Sequence, residues 1–197
     1  MEKGRKESRA KRAIKEAFIA LYAQAPVEKI TVSEICKQSN YSRVTFYAHF
    51  DDVYQVLEEV EWDTLEELGA LYDFSDPRLT PEVIRSGALP ACAVEWFGKS
   101  RAHQTFLLAV LGEHGDASFQ YKLKNVLREG LKKIALLDGV PDNRRTGYVI
   151  EYQISGIIGI LDFYLRNTEG ITDQEVANVV NTLRRHWLSR RGGPREE

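Results

Sequence analysis

Apolar side chains recur along this 197-residue chain every three or four positions. No stretch alternates apolar and polar at every second residue with β-branched enrichment, so the pattern predicts an all-α fold of about nine helices. A first helix, about 5–24, carries Ala10, Ala13, Ile14, Ala17, Phe18, Leu21 and Tyr22 as a one-sided stripe, with Arg5, Arg9 and Arg12 on another face. Pro26 closes it, because the residue before a proline avoids helical geometry. Thr31 then caps a second helix, about 32–38. Glu34 three residues on completes a capping box, whose cap is worth about 1 kcal/mol. Ser39-Asn40-Tyr41 is the turn, and asparagine there suits a positive φ. Ser42 caps a third helix, about 43–49. Asp51 and Asp52 stand at the positive end of a long fourth, about 52–74.

The remainder is punctuated by turn residues. "DFSDPRLTP" is a connector, and Thr80-Pro81-Glu82 marks a fresh helix start. Pro90 predicts that 81–99 is two pieces or one kinked helix. Later helices are expected at about 101–113, 116–137, 143–167 and 173–188, separated by "GEHGD", "DGVPD" and "NTEGITD". The organisation expected is a helical head over 1–50, a connecting helix over 51–74, a helical body over 75–190 and a disordered tail over 191–197.

Composition narrows the function classes. No apolar run approaches the roughly 18–20 residues that span a bilayer. The basic N-terminus lacks the apolar core of a secretory signal, so a cytoplasmic protein is expected. Cys36 and Cys92 are read as two small buried thiols, although one disulfide is open on paper. The four histidines and two cysteines show no metal-ligand spacing, and neither a phosphate-cradling glycine loop nor a nucleophile elbow occurs. No enzyme, cofactor or metal is therefore expected. The net charge of −2 conceals an asymmetry: residues 1–50 hold ten Lys/Arg against five Asp/Glu, and the remainder holds 17 against 24. A basic head on an acidic body is either a head that meets a polyanion or simply a set of solvated helix faces.

Two short helices joined by a tight turn make a helix-turn-helix, whose second helix can enter a major groove of DNA. Ile35, Cys36, Tyr41, Val44 and Phe50 are expected to close a small core with the first helix, and Phe46 to join it. That leaves polar side chains facing outward. The stretch "ITVSEICKQSNYSRVTFYAHFDDVYQVL" resembles the DNA-binding domain of the TetR family of transcriptional regulators, over roughly residues 9–65. The resemblance implies a homodimer on a palindromic double-stranded operator, nucleoid-associated, with a C-terminal body that senses a small-molecule effector. It implies a repressor released from its operator by that effector. The alternative is a TetR-like protein that has lost operator binding and docks a protein partner.

Carried over by position, Ser42, Arg43, Thr45, Tyr47 and His49 fall where the family's recognition helix meets bases and phosphates, and Thr31 and Ser33 fall near a phosphate. Two departures stand out. Asn40 occupies a turn position that is often glycine, and Val53 stands where a phosphate-binding lysine is common. Arg9, Arg12 and Lys37 are then expected to take a larger share of the phosphate contacts.

In the body, "RTGYVIEYQISGIIGILDFYLRNTEG" is the most apolar long helix, and each glycine in it costs up to about 1 kcal/mol of helix propensity. Close approach of another helix would offset that cost. The resemblance places a two-fold four-helix interface here, formed by Gly156, Ile157, Gly159, Ile160, Leu161, Val176, Val179, Val180 and Leu183. An intrachain core is the alternative. An effector pocket lined by Cys92, Trp96, Phe97, His103, Phe106, Leu107, Tyr121, Tyr148 and Tyr152 has the apolar walls and polar tips such sites need, and an ordinary core has them too. Glu151 is either a reader of a cationic ligand or a surface carboxylate.

Overall fold

The computed structural model describes residues 8–70, 80–113 and 115–189. Every regular element among them is helical, as the spacing predicts. The helices are α1 (Arg9–Tyr22), α2 (Val32–Ser39), α3 (Arg43–Tyr47), α4 (Val53–Ala70), α5 (Pro81–Ser86), α6 (Ala91–Ala102), α7 (Gln104–Val110), α8 (Ala117–Leu137), α9 (Arg144–Arg166) and α10 (Asp173–Ser189). A 3-10 turn at Val27–Lys29 links α1 to α2. Ten helices among the described residues exceed the nine expected because 81–99 resolves into two. Thr80 caps α5, with Pro81 in its first turn, and Gly87 ends it at φ 74°, which only glycine adopts without strain. The expected ends of the first helix at 5 and of the fourth at 74 lie outside the described residues, as do Arg5, His114 and the 191–197 tail. No described helix is long and apolar enough to cross a membrane.

The packing divides the chain into two compact units. The first takes the described part of Met1–Leu65 with His103–Gln120. Its interior is built from Ile14, Phe18, Ile35, Phe46, Phe50, Val56 and Phe106, each exposed by no more than 1%. Phe18 stacks on Tyr22 at 5.4 Å, Tyr22 meets Phe106 at 6.2 Å, and Phe106 meets Phe119 edge-on at 5.6 Å. Burial and the nearby Asp116, Glu61 and Glu28 push the Tyr22 phenol up to about 12.

The second unit takes Glu66–Ala102 and the described part of Tyr121–Glu197. In it α6 packs on α9 and α10. Phe97 sits edge-on to Tyr164 at 5.7 Å, and the Tyr164 hydroxyl donates to Asp173, which Arg101 also holds at 3.0 Å. The inner face of α9 is Ile150, Ile154, Ile157, Leu161 and Leu165, a run at helical spacing, all buried. Asn181 ties α10 to α5 by donating to the Gly87 carbonyl at 3.1 Å.

Candidate nucleic-acid interface

The helix-turn-helix forms because each end has a local solution to its unsatisfied backbone groups. At the start of α2 the Thr31 hydroxyl accepts from the Glu34 N–H at 3.3 Å, and Glu34 Oε2 accepts from the Thr31 N–H at 2.9 Å and from its hydroxyl at 2.6 Å. These bonds, the hydroxyl's first, hold the Glu34 carboxyl below its ordinary range. Asn40 ends α2 at φ 59°, and its N–H and that of Tyr41 both reach the Cys36 carbonyl. Ser42 caps α3 by accepting from the Thr45 N–H at 3.1 Å. The turn is therefore held by the left-handed Asn40 backbone, its two bonds to the Cys36 carbonyl and the Ser42 cap.

Buried Phe46 and Phe50 anchor α3, with ring centroids 5.8 Å apart. Ser42, Arg43 and Tyr47 are exposed, Tyr47 by 58%, and Thr45 is half-buried with its hydroxyl 3.0 Å from that of Ser42. His49 is half-buried, its Nε2 3.2 Å from Ser8 Oγ, the cap of α1. Ser33, Arg9, Arg12 and Lys37 are exposed, whereas the Thr31 hydroxyl is engaged in the capping box. Burial raises the Cys36 thiol, and the Arg43 guanidinium partly opposes that. One expectation fails here. Val44 was to join the core and is instead 81% exposed. Phe46 and Phe50 define the inner face, and a residue two positions before Phe46 is rotated about 200° from it.

The departure at the start of α4 also has a structural account. Val53 is 7% exposed and belongs to the core, while Asp52 Oδ1 accepts from the Gln55 N–H at 2.9 Å and caps the helix. The acidic run that follows pairs with lysines of α1. Lys11 Nζ lies 2.6 Å from Glu59 and above the Phe50 ring at 5.4 Å, and Lys15 Nζ lies 2.5 Å from Asp63. Two of the cations counted in the basic head are thus neutralised within the unit, a pairing that charge counting does not reveal.

In the second unit the residues singled out fall into distinct places. Of the expected interface, Ile157, Leu161 and Val176 are buried in the chain's own core. Gly156, Gly159, Val179 and Leu183 are exposed, and Ile160 and Val180 are half-buried. Apart from α9's own backbone and the flanking residues, no described atom lies within 4 Å of where a Cβ on Gly156 or Gly159 would stand. With Tyr148, Tyr152 and Phe163, exposed by 69, 79 and 70%, these residues form an apolar stripe at helical spacing along α9. Grooves of about 370 and 450 Å³ run along it, bounded by Leu183 and Val180 on one side and by Val176 and Val179 on the other.

The residues expected to line a pocket are divided between the two units. Cys92, Trp96 and Phe97 are buried in the second unit, and Phe106 and Leu107 are core residues of the first, beside half-buried His103. Tyr121, Tyr148 and Tyr152 point outward because each lies midway between buried neighbours on its helix, Phe119 and Leu123 for Tyr121 and Ile150 and Ile154 for Tyr152. Glu151 is engaged by Arg128, with Nε–Oε1 2.6 Å and Nη2–Oε2 3.2 Å, and this bidentate bond lowers its carboxyl. Two buried polar atoms on α6 have no hydrogen-bond partner among the described residues: Nε1 of Trp96, which the sequence singles out, and Oγ of Ser100, which it does not. Ser100 was concealed because serine carries no signal of burial.

A search against family models matched none. Over 65 residues the chain is 35% identical to an uncharacterised HTH-type transcriptional regulator, YxbF, of Bacillus subtilis (strain 168); the match covers 32% of this chain and spans only 17% of that protein. Solved structures align over nearly the whole length. A TetR transcriptional regulator from Streptococcus agalactiae 2603V superposes with TM-score 0.60 at 20% identity, covering 88% of this chain and 92% of that one. A TetR-like transcriptional regulator from Rhodococcus sp. RHA1 gives 0.65 at 14% identity, covering 94% and 99%. The fatty acid degradation regulator FadR from Bacillus halodurans gives 0.61 at 15% identity, covering 98% and 100%. The chain has the fold of TetR-type transcriptional regulators.

Proposed function

We propose that this chain, on the strength of that fold and of its helix-turn-helix, is a cytoplasmic transcriptional regulator that binds a palindromic operator as a homodimer. The observation that carries the reading is α3. Phe46 within it and Phe50 just beyond it are buried while Ser42, Arg43 and Tyr47 stand exposed, so one short helix is held by its apolar side chains and offers its polar ones. Arg43 is suited to a bidentate bond with guanine. Ser42, Thr45, Tyr47 and Ser33 are suited to phosphates, with Arg9, Arg12 and Lys37 adding charge. His49 steadies the end of α1 through Ser8, and Thr31 contributes through the cap it forms.

Support for the homodimer comes from α9 and α10. A helix whose Gly156 and Gly159 meet no other described element loses helix propensity without return unless a second copy covers them. A two-fold pairing of the same face buries Gly156, Gly159, Ile160, Val179, Val180 and Leu183 and sets the reading helices about 34–36 Å apart. Control by an effector is supported by α6, where the Trp96 N–H and the Ser100 hydroxyl are buried without partners that a bound ligand could supply. Such a ligand acts only by binding one conformation of the dimer more tightly than the other, releasing the operator in a repressor's case.

The test is a salt titration on duplex that the purified protein retains from a genomic library. The exposed Arg9, Arg12, Lys37 and Arg43 number four per head, and log affinity should fall with log salt at a slope of about −0.9 for each phosphate they neutralise, near −7 for a dimer. Absence of any salt-dependent duplex binding would refute the assignment.

A further inference from the structure

One residue on the outward face of α3 is not used by the contacts proposed so far. Val44 is 81% exposed, on the second position of a five-residue helix. A lone valine on a surface is ordinary in itself. Here the setting makes it informative. A β-branched residue loses rotamer freedom in a helix and forms one less readily than alanine, lysine or glutamate, and Val44 buries nothing to offset that. Its neighbour one turn on is Ala48, also exposed and too small to screen it. Val44 and Ala48 therefore form an apolar row, and Arg43 and Tyr47 form a hydrogen-bonding row beside it, because residues four apart stack on a helix.

A surface made of one hydrogen-bonding row and one apolar row has a natural counterpart in the major groove. Three of the four bases present only nitrogen and oxygen groups there, and thymine alone adds a methyl. We propose that Val44 reads the 5-methyl group of a thymine in each operator half-site, with Ala48 small enough to let the helix approach it. This rests on the reading of α3 as the recognition helix, and it adds to that reading a base preference that Arg43 and the phosphate contacts do not supply. A contact of this kind discriminates among duplexes by shape and apolar burial. It leaves the salt slope unchanged, since no charge is involved.

The full-length protein is tested by fluorescence anisotropy on an operator selected from random-sequence duplexes. Each thymine of the half-site is replaced in turn by deoxyuridine, which removes the methyl and keeps every hydrogen-bonding group. One thymine per half-site should be sensitive, with affinity lowered about fourfold for each methyl lost from contact. Val44→Ala should bind the thymine and uracil operators equally, and Val44→Thr, which keeps one methyl in nearly the same shape, should retain part of the preference. Because Val44 is exposed, neither variant should melt appreciably below the wild type, and Val44→Ala should melt at or slightly above it. A wild-type protein indifferent to every deoxyuridine, or a Val44→Ala variant that keeps the wild-type ratio, overturns the proposal. Failure to bind any duplex overturns it together with the operator-binding reading, and the salt titration identifies that case.

Discussion

Ser100 offers the most direct check on the reading of α6. The residue has no exposed surface, and its hydroxyl has no hydrogen-bond partner among the described residues; the indole N–H of Trp96, one turn earlier on the same face, has none there either. A hydroxyl withdrawn from water without a replacement bond costs about 1–3 kcal/mol. Ser100→Ala removes the oxygen and keeps the Cβ, so the unliganded protein should gain most of that energy. Better helix propensity adds up to about 0.5 kcal/mol in the same direction. In a chain of this size 1 kcal/mol moves the melting temperature by about 2–4 °C. The variant should therefore melt several degrees higher, measured by calorimetry at one protein concentration because a dimer's melting depends on concentration. A ligand that raises the wild-type melting point should raise that of Ser100→Ala less. A lower melting point for the unliganded variant would show that the hydroxyl is already satisfied, and α6 would lose its claim to a ligand.

Three further outcomes follow from the geometry. Phe163→Asp combined with Leu183→Asp places two charges on the exposed stripe, where each side chain is at least 60% exposed in one chain. Sedimentation velocity at micromolar concentration should show a dimer become a folded monomer, and a wild-type monomer would refute the interface. Arg43→Ala should cost about 1–3 kcal/mol at one operator position and relax specificity there; equal losses on operator and random DNA would count against base readout. Burial, then the bond to Asp173, raises the Tyr164 phenol to about 12 from an ordinary value of 10. A group raised on folding contributes stability that is intact below its unfolded value, so this contribution holds below pH 10 and is lost as pH rises toward 12. Tyr164→Phe should remove one late-ionising phenol from the ultraviolet titration and flatten that alkaline loss.

The parts of this protein that are local in sequence were readable from it. The capping box at Thr31 and Glu34, the left-handed Asn40 and the cap at Ser42 each depend on residues within four positions of one another, and all three form as the spacing demands. The anchoring of α3 by Phe46 and Phe50 was readable for the same reason. What was not legible depends on partners distant in the chain. Lys11 and Lys15 looked like free cations until α4 brought Glu59 and Asp63, 48 residues away, against them. Glu151 looked available until Arg128 claimed it from α8. In the body, a tyrosine at position 148 or 152 reads equally well as a pocket wall or an outer face. Only the phase of the buried isoleucines on α9 decides between the two.

The acidic start of α4, which sits awkwardly beside a head meant for a polyanion, resolves along the same line. An acid near DNA is unfavourable when its field reaches the phosphates unopposed. Asp52 spends its charge on the amide end of α4, and Glu59 and Asp63 are held at 2.6 and 2.5 Å from lysine nitrogens of α1. Each such pair is close to neutral beyond a Debye length of about 8 Å at physiological salt. The pairs also fix α1 against α4, with Lys11 lying over Phe50 at the end of the helix-turn-helix. The same carboxylates that lower the head's net charge therefore hold α1 and the end of the helix-turn-helix in place. Arg9, Arg12, Lys37 and Arg43 are exposed on the three helices that precede α4, and Lys29 on the 3-10 turn between the first two. A valine in place of the lysine at position 53 is consistent with this division. That position closes the core, and on the proposed reading contact with phosphate falls to the helices whose orientation the core determines.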